Sequence, residues 1–158
     1  MADVIVHYWS PRLFATSKSL TGHVALQTRD VYASWAPVAD QALGSITRPV
    51  GANPRPSYAN DLELAGGTHS ERISIRKLDA KAIRDAWVGL AANLADPNFI
   101  GPPIGYQLVP MAAKGSASSC ATLVVKLLRA GGSDAIHPWT QRGLVTPGDV
   151  AEYASLLQ

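Results

Sequence analysis

The stretch "GSASSCATLVVKLLRAGG", residues 115 to 132, contains the only cysteine of the chain, Cys120. Small polar residues precede Cys120, and an apolar stripe with helical spacing follows it, so a helix is predicted to begin near the thiol and to end at Gly131. The stripe consists of Ala121, Val124, Val125 and Leu128. Main-chain amides at a helix N-terminus stabilise a thiolate, so this position suits a nucleophile. The alternative is a cysteine that packs as a small hydrophobe.

Length and composition favour one domain spanning residues 1–158. Hydrophobic residues make up 47% of the chain and charged residues 16%, as in ordinary globular proteins. The net charge of +2 and the lack of a Lys/Arg cluster give no reason to expect nucleic-acid binding. A single cysteine excludes an internal disulfide and a cysteine-based zinc site. The N-terminal residues show no signal peptide, and no apolar run reaches the ~18 residues of a membrane span, so a soluble chain is expected.

The N-terminal half of the chain predicts strands. The segments "DVIVHYW" (3–9), "GHVALQT" (22–28) and "VYASWAP" (31–37) are rich in β-branched and aromatic residues, and the last two are separated by a short polar turn that predicts a hairpin. "SERISIRKL" (70–78) alternates apolar and polar residues and predicts a half-exposed strand. Residues 37–67 lose this periodicity and are predicted to form a long loop.

Two further helices are predicted. In residues 78–96, apolar residues recur at helical spacing after Asp79, which is expected to be the N-cap. Near the C-terminus, "TPGD" offers Thr146 as N-cap, Pro147 in the first turn and Asp149 three residues after the cap. Together with the strands, these helices predict an α+β fold in which a small antiparallel sheet packs against the helix of Cys120.

A cysteine nucleophile needs a base, and the chain offers four histidines for that role. His23 is preferred because it opens a strand directly after Gly22, and His69 is the second choice. Ser34 is preferred as the group that orients the imidazole. Tyr32 and Gln27 stay open as alternatives, since Gln27 shares a strand face with His23.

The two segments around His23 and Cys120 resemble the NlpC/P60 superfamily of papain-like cysteine hydrolases. "GHVALQT" with "VYASWAP" resembles its histidine hairpin, and "SSCATLVVKLLRAGG" resembles its cysteine helix. Because the histidine precedes the cysteine, the order resembles the permuted branch that includes lecithin:retinol acyltransferase-like proteins. The combination with "GYQL" and "VTPGDVAEYASLL" also resembles papain-like domains of bacterial polymorphic toxins and secretion effectors. The resemblance covers residues 22–37 and about 105–157.

The resemblance implies a permuted papain-like fold and acyl transfer through a thioester, without metal or cofactor. It implies Cys120, His23 and Ser34 as catalytic residues. It also implies Tyr106, fourteen residues before Cys120, as a group bordering the active site. Ser119 departs from the pattern, since these families usually carry Asn or Asp before the cysteine. Gln27, Trp35 and Ile104 complete the expected substrate-binding set.

Two substrate classes follow from the resemblance: phospholipid esters, which we favour, and peptidoglycan-stem amides. A lipid would need an apolar groove beside Cys120, lined by Phe99, Ile100, Ile104 and Trp35, whereas a peptidoglycan stem would need Arg55 or Arg72 for its carboxylates. An antibacterial effector delivered without its own signal peptide would act in the periplasm or at a membrane surface, where a cognate immunity protein is a compatible partner. A cytoplasmic location and a catalytically inactive binding domain are the alternatives.

Overall fold

The computed structural model describes residues 3–11, 22–37, 50–95, 105–106, 119–141 and 143–158. These ranges contain six strands and four α-helices. The strands are β1 (Val4–Trp9), β2 (His23–Gln27), β3 (Tyr32–Pro37), β4 (Val50–Arg55), β5 (Glu71–Ile75) and β6 (Gly105–Tyr106). The helices are α1 (Tyr58–Leu64), α2 (Ala80–Ala95), α3 (Cys120–Ala130) and α4 (Pro147–Leu156), and a short 3-10 helix spans Ser133–Ala135. The α+β class is therefore confirmed.

The strands form one antiparallel sheet in the order β5-β1-β2-β3-β4-β6. The predicted hairpin joins β2 to β3, with Leu26 opposite Ala33 and Gln27 opposite Tyr32. Its turn closes through a hydrogen bond from the Thr28 amide to the Val31 carbonyl at 2.9 Å.

The two faces of the sheet are covered differently. One face and the inner sides of α2, α3 and α4 form the main core, which includes Val24 and Leu26 of β2. On the other face, Trp9 and Ala25 pack with Ala65 at the end of α1 in a second cluster. Because strand side chains alternate, His23 belongs with Ala25 on the face that α1 covers. The sheet thus carries an apolar core on one side and a mostly polar and aromatic layer on the other.

The helix ends agree with the sequence. Asp79 caps α2 by accepting a hydrogen bond from the Ala82 amide at 3.0 Å. Thr146 and Asp149 form a capping box at the start of α4, as predicted. The C-cap residue of α3, Gly131, lies against α2, where an added Cβ would come within 2.7 Å of the Ile83 side chain. A glycine is therefore needed at this helix–helix contact.

The prediction of a structureless loop over residues 37–67 is wrong for its second half. Val50–Arg55 forms β4, and Tyr58–Leu64 forms α1. The composition of this segment does not indicate a strand, because it contains a glycine and a proline, which strands usually avoid. Its place is fixed by pairing on both sides, with β3 and with β6. Such pairing is a tertiary effect that local sequence does not show.

Candidate active site

Cys120 is the first residue of α3, and Ser119 caps this helix. The Ser119 hydroxyl accepts a hydrogen bond from the Thr122 amide at 3.1 Å, and the Thr122 hydroxyl accepts one from the Ser119 amide at 2.8 Å. Ser119 thus supplies the cap that Asn or Asp would provide. The amides of Val24 and Ala121 hydrogen-bond to the Cys120 sulfur. The thiol therefore lies where the start of α3 meets the start of β2.

His23 is positioned by the glycine before it. Gly22 has a φ of +80°, and a Cβ at this position would lie 2.3 Å from the Trp9 carbonyl oxygen. Only glycine lets the chain enter β2 this close to β1. The His23 side chain then lies close to Cys120, since each of the two groups shifts the pKa of the other. The structure thus brings together the two residues that the sequence singled out.

The second ring nitrogen of His23 contacts a serine and an aspartate. Its Nε2 lies 2.9 Å from Ser34 Oγ and 3.2 Å from Asp61 Oδ2. A carboxylate only accepts, so Nε2 carries the proton and donates it toward these oxygens. Nδ1 is then the ring nitrogen available to exchange a proton with Cys120. Ser34 therefore lies where the sequence analysis expected it, and its part in catalysis stays a prediction.

Asp61 is the residue that the sequence analysis missed. It is 0% exposed and lies in α1, within the stretch that was predicted to be a loop. Besides His23, it accepts hydrogen bonds from the Tyr32 hydroxyl at 2.5 Å and from Arg55 Nη1 at 2.9 Å. Tyr32 thus binds the carboxylate rather than the imidazole. Cys120, His23 and Asp61 thus lie next to one another, with the composition of a cysteine–histidine–aspartate triad.

One feature of the sequence could have indicated Asp61. Tyr58, Asp61, Leu62 and Ala65 recur at helical spacing, so the aspartate lies on an otherwise apolar helix face. A carboxylate on such a face is buried only when it is paired. The helix is seven residues long, which is too short for its periodicity to stand out in the sequence.

The electrostatics of the site favour a charged pair. Burial acts to lower the pKa of His23, but the hydrogen bonds and charges of Asp61 and Cys120 outweigh it and raise the pKa to about 9. Burial acts to raise the pKa of Cys120, but His23 and the amides of Val24 and Ala121 lower it below its usual range. For Asp61, burial is likewise outweighed by His23, Tyr32 and Ser34, and its pKa is lowered. The raised pKa of His23 and the lowered pKa of Cys120 act in the same sense and favour an imidazolium–thiolate pair over two neutral groups.

Three of the residues expected to contact substrate have other partners in the described part of the structure, and their roles in binding stay predictions. Gln27 Oε1 accepts a hydrogen bond from Nε2 of His7, a buried histidine of β1, at 2.8 Å. Trp35 is 1% exposed and packs edge-on against Trp87 in the main core, with ring centroids 6.0 Å apart. Arg55 Nη1 donates to Asp61 Oδ1 at 2.9 Å, and the Arg55 side chain is 20% exposed.

The other expected groove residues lie mostly outside the described ranges. Ile104, Phe99 and Ile100 fall between residues 96 and 104, which are not described. Tyr106 is placed only by its backbone, which pairs with Val50 of β4. Their roles stay predictions.

A small cleft opens beside Cys120 on the side of α4. The space between its walls is about 230 Å³ when open solvent is included, and its free interior has room for about one water molecule. Its described lining comes from the start of α3 and from the segment that leads into α4, and consists of Ser119, Cys120, Ala121, Leu144, Val145, Thr146 and Pro147. The cysteine thus borders a shallow, water-sized depression on this side.

Other properties of the site can be stated for the described ranges. No three His, Cys, Asp or Glu side chains there are grouped so as to hold a metal ion. Within the same ranges, no helix combines the length and the apolar character that a membrane crossing needs.

Comparisons of the chain with family models, curated proteins and solved structures find no match. The chemistry of the site must therefore be argued from its own geometry.

Proposed function

We propose that this protein is a cysteine hydrolase or acyltransferase that works through a thioester on Cys120. The observation that carries the proposal is the position of His23, whose Nε2 lies 3.2 Å from Asp61 Oδ2 and whose ring is close enough to Cys120 for each group to shift the pKa of the other. A nucleophile, a base and a group that orients the base are what acyl transfer requires. A buried cysteine without function would not need this arrangement.

The first half of the reaction forms the thioester. The Cys120 thiolate attacks the carbonyl carbon of an ester or amide, and a sulfur–carbon bond forms while the carbonyl oxygen becomes an oxyanion. The oxyanion collapses and the bond to the leaving group breaks. The His23 imidazolium gives its proton to the departing alcohol or amine, as a general acid. Asp61 stabilises the charged ring before this transfer and holds its orientation.

The second half releases the acyl group. Neutral His23 removes a proton from water or from an acceptor alcohol or amine, and the resulting nucleophile attacks the thioester carbonyl. The sulfur–carbon bond breaks, which restores the thiolate and the imidazolium. The amide of Cys120 has no acceptor within α3 because it lies in the first turn, so we propose it as an oxyanion donor, with the Tyr106 hydroxyl as the second.

We also propose that the domain is a permuted papain-like fold of NlpC/P60 type. The support is the order of the parts: a histidine on the sheet precedes a cysteine at the start of a helix, and both meet at one end of the sheet. Phospholipid esters are the preferred substrates in this proposal, and an antibacterial effector role follows from the resemblance to toxin domains.

The test compares two substrates in parallel. The protein is incubated with phospholipid vesicles and with purified muropeptides, and the products are resolved by mass spectrometry. Cys120→Ala and His23→Ala should abolish product formation. The control variant, His69→Ala, changes an exposed histidine two residues before β5 and should form product at the wild-type rate. Release of fatty acid would support phospholipid esters as the substrate class. Cleavage of stem peptides would instead support the peptidoglycan amidase alternative. No product from either substrate would leave the inactive binding domain as the better account.

Expression in bacteria tests the effector role separately. The wild-type chain directed to the periplasm should slow growth more than the same chain kept in the cytoplasm, and Cys120→Ala should relieve the effect. Equal growth of wild type and variant in both compartments would contradict an antibacterial role.

A further inference from the structure

The buried carboxylate of Asp61 receives hydrogen bonds on both of its oxygens. Arg55 Nη1 donates to Oδ1 at 2.9 Å, and the Tyr32 hydroxyl donates to Oδ2 at 2.5 Å. The same Oδ2 also faces His23, whose Nε2 lies 3.2 Å away. Tyr32 and His23 therefore share one oxygen, and the phenol makes the shorter contact. A short hydrogen bond from a hydroxyl to a carboxylate is a strong one, so Tyr32 compensates part of the charge that faces the imidazole.

The titratable and charged groups around this carboxylate come from neighbouring strands of the sheet. Among the described residues, His23 faces it from β2, Tyr32 from β3 and Arg55 from β4. On β1, burial lowers the pKa of His7, and the charge of Asp61 opposes that effect. Burial, and then the charge of Asp61, raise the pKa of Tyr32 well above its usual range. The Tyr32 hydroxyl therefore stays a hydrogen-bond donor at every pH at which His23 titrates.

The groups that face His23 itself change when the sulfur is acylated. Among the described residues, Asp61 of α1 and Cys120 of α3 are the titratable groups that act on the pKa of His23. The neutral ring of Trp9 on β1 packs against the imidazole with ring centroids 5.7 Å apart, and Ser34 Oγ of β3 lies 2.9 Å from Nε2. Acylation removes the charge of the thiolate. In the acyl-enzyme, the carboxylate of Asp61 is then the charge beside the imidazole that favours the imidazolium.

Release of the acyl group needs the neutral form of His23. Its Nδ1 takes a proton from water, the water oxygen forms a bond to the thioester carbonyl carbon, and the bond from carbon to sulfur breaks to restore the thiolate. A buried carboxylate with fewer hydrogen bonds would favour the imidazolium more strongly, because less of its charge would be compensated. Less neutral His23 would then be present at neutral pH. The hydrogen bond from Tyr32 to Asp61 acts in the opposite direction.

We infer that Tyr32 is a positioning residue of the proposed reaction, whose hydroxyl competes with His23 for Asp61 Oδ2 and keeps the carboxylate from holding the imidazolium too tightly. The inference rests on the proposed function, since it concerns a proton that His23 must accept and release during acyl transfer. It deepens that proposal by adding a group that acts on His23 through Asp61.

The first test is an NMR titration of the His23 imidazole in the full chain carrying Cys120→Ala. This background removes the thiolate charge, as acylation does, and the His23 signals are identified by their loss in His23→Ala. Adding Tyr32→Phe deletes one oxygen from a side chain that is only partly buried, so the fold is expected to be retained. The pKa of His23 should rise by at least roughly half a unit, because Asp61 loses a hydrogen bond that compensates its charge.

The matched control is Tyr58→Phe in the same background. The ring of Tyr58 packs edge-on against that of Tyr32, with ring centroids 6.4 Å apart, so both belong to the same aromatic layer. The Tyr58 hydroxyl, however, lies 3.1 Å from His69 Nδ1 and accepts a hydrogen bond from the Ser70 amide at 3.3 Å. Removing this hydroxyl should leave the pKa of His23 unchanged, because it does not donate to the carboxylate.

Kinetics connect the shift to the reaction. The Cys120 thiolate attacks p-nitrophenyl acetate and displaces p-nitrophenolate, and water then cleaves the acetyl-enzyme to acetate. The rate of this second step should rise with pH as His23 loses its proton, and in Tyr32→Phe the midpoint should move upward as the pKa does. Below the midpoint the rate should fall roughly threefold, the factor that half a pH unit makes in the amount of neutral His23. A merely structural role would lower stability without moving the midpoint.

The outcomes separate the two proposals. If the ester is turned over but Tyr32→Phe leaves the pKa of His23 unchanged or lowers it, the inference is wrong while the proposed function stands. An equal rise in Tyr58→Phe would have the same meaning. If the wild-type chain turns over p-nitrophenyl acetate no faster than Cys120→Ala does, the proposed function fails. The inference fails with it, since Tyr32 would then have no proton transfer to assist.

Discussion

Replacing Asp61 by asparagine is the change that tests the site most severely. Asparagine keeps nearly the same shape but removes the negative charge that His23, Tyr32 and Arg55 now face. Asp61 is 0% exposed and the Arg55 side chain is 20% exposed, so both lie largely away from solvent. The change therefore leaves a partly buried arginine without its counter-charge and an imidazolium without its carboxylate.

The magnitude can be worked out from these contacts. Breaking a buried ion pair by removing one partner costs about 3–5 kcal/mol, and the partial exposure of Arg55 places this protein near the lower limit. A second calculation starts from His23, whose pKa is raised from 6.5 to about 9. At 1.36 kcal/mol per pKa unit, this difference corresponds to about 3 kcal/mol, which Asp61 shares with Cys120. We therefore expect Asp61→Asn to lower the free energy of unfolding by about 3 kcal/mol at neutral pH.

Two measurements check this prediction. Urea unfolding gives the loss of stability, and the pH dependence of Cys120 alkylation shows whether the thiol has lost its ionised partner. Asp85→Asn is the matched control, because Asp85 is an exposed aspartate paired with Lys81 and should cost under about 0.5 kcal/mol. If Asp61→Asn unfolds like Asp85→Asn and its thiol keeps the wild-type alkylation profile, then Asp61 does not hold the catalytic pair.

Two further predictions concern pH and a buried indole. The raised pKa of His23 contributes stability that is lost as pH rises from 6.5 through about 9, whereas the lowered pKa of Cys120 contributes stability that increases as pH rises toward the ordinary thiol pKa. These effects oppose each other in the wild type, so Cys120→Ala, which lacks the second, should lose more stability than the wild type as pH rises; the same pH profile in both proteins would contradict the pairing. The Trp9 indole donates to the Thr68 carbonyl at 2.9 Å, while the buried Trp35 Nε1 has no hydrogen-bond partner among the residues that the structure describes. Trp9→Phe should therefore cost about 1 kcal/mol more than Trp35→Phe in urea unfolding, and equal losses would be evidence against this reasoning.

Much of the fold follows from local sequence. Runs of β-branched and aromatic residues predicted β1, β2 and β3, and the alternation of apolar and polar residues predicted β5. These predictions succeeded because side-chain pattern and backbone propensity agree in these segments. The N-termini of α2 and α4 could also be predicted, because Asp79 and Thr146 cap these helices through hydrogen bonds to residues three positions away in the sequence. By contrast, β4 depends on partners that are distant in sequence.

The candidate site was predictable only in part, for the same reason. Cys120 and His23 could be singled out because each lies at a recognisable end of a helix or strand. Asp61 was harder to single out, since its helical spacing extends over only seven residues and its role comes from the packing of this short helix onto the polar face of the sheet. Trp35 was expected beside the substrate, but a tryptophan on a strand can face either side, and only the packing of α2 shows that it contacts Trp87.

The most direct test of the catalytic pair is the pH dependence of Cys120 alkylation by iodoacetamide, followed by mass spectrometry of the intact protein. An ion pair with His23 predicts a rate that stays nearly constant from about pH 6 to about pH 8, since the thiolate is already formed. The denatured chain provides the reference, and its rate should fall about tenfold for each pH unit below the ordinary thiol pKa. A native rate with that same steep slope, or labelling that requires denaturant, would contradict the assignment of Cys120 as an activated nucleophile.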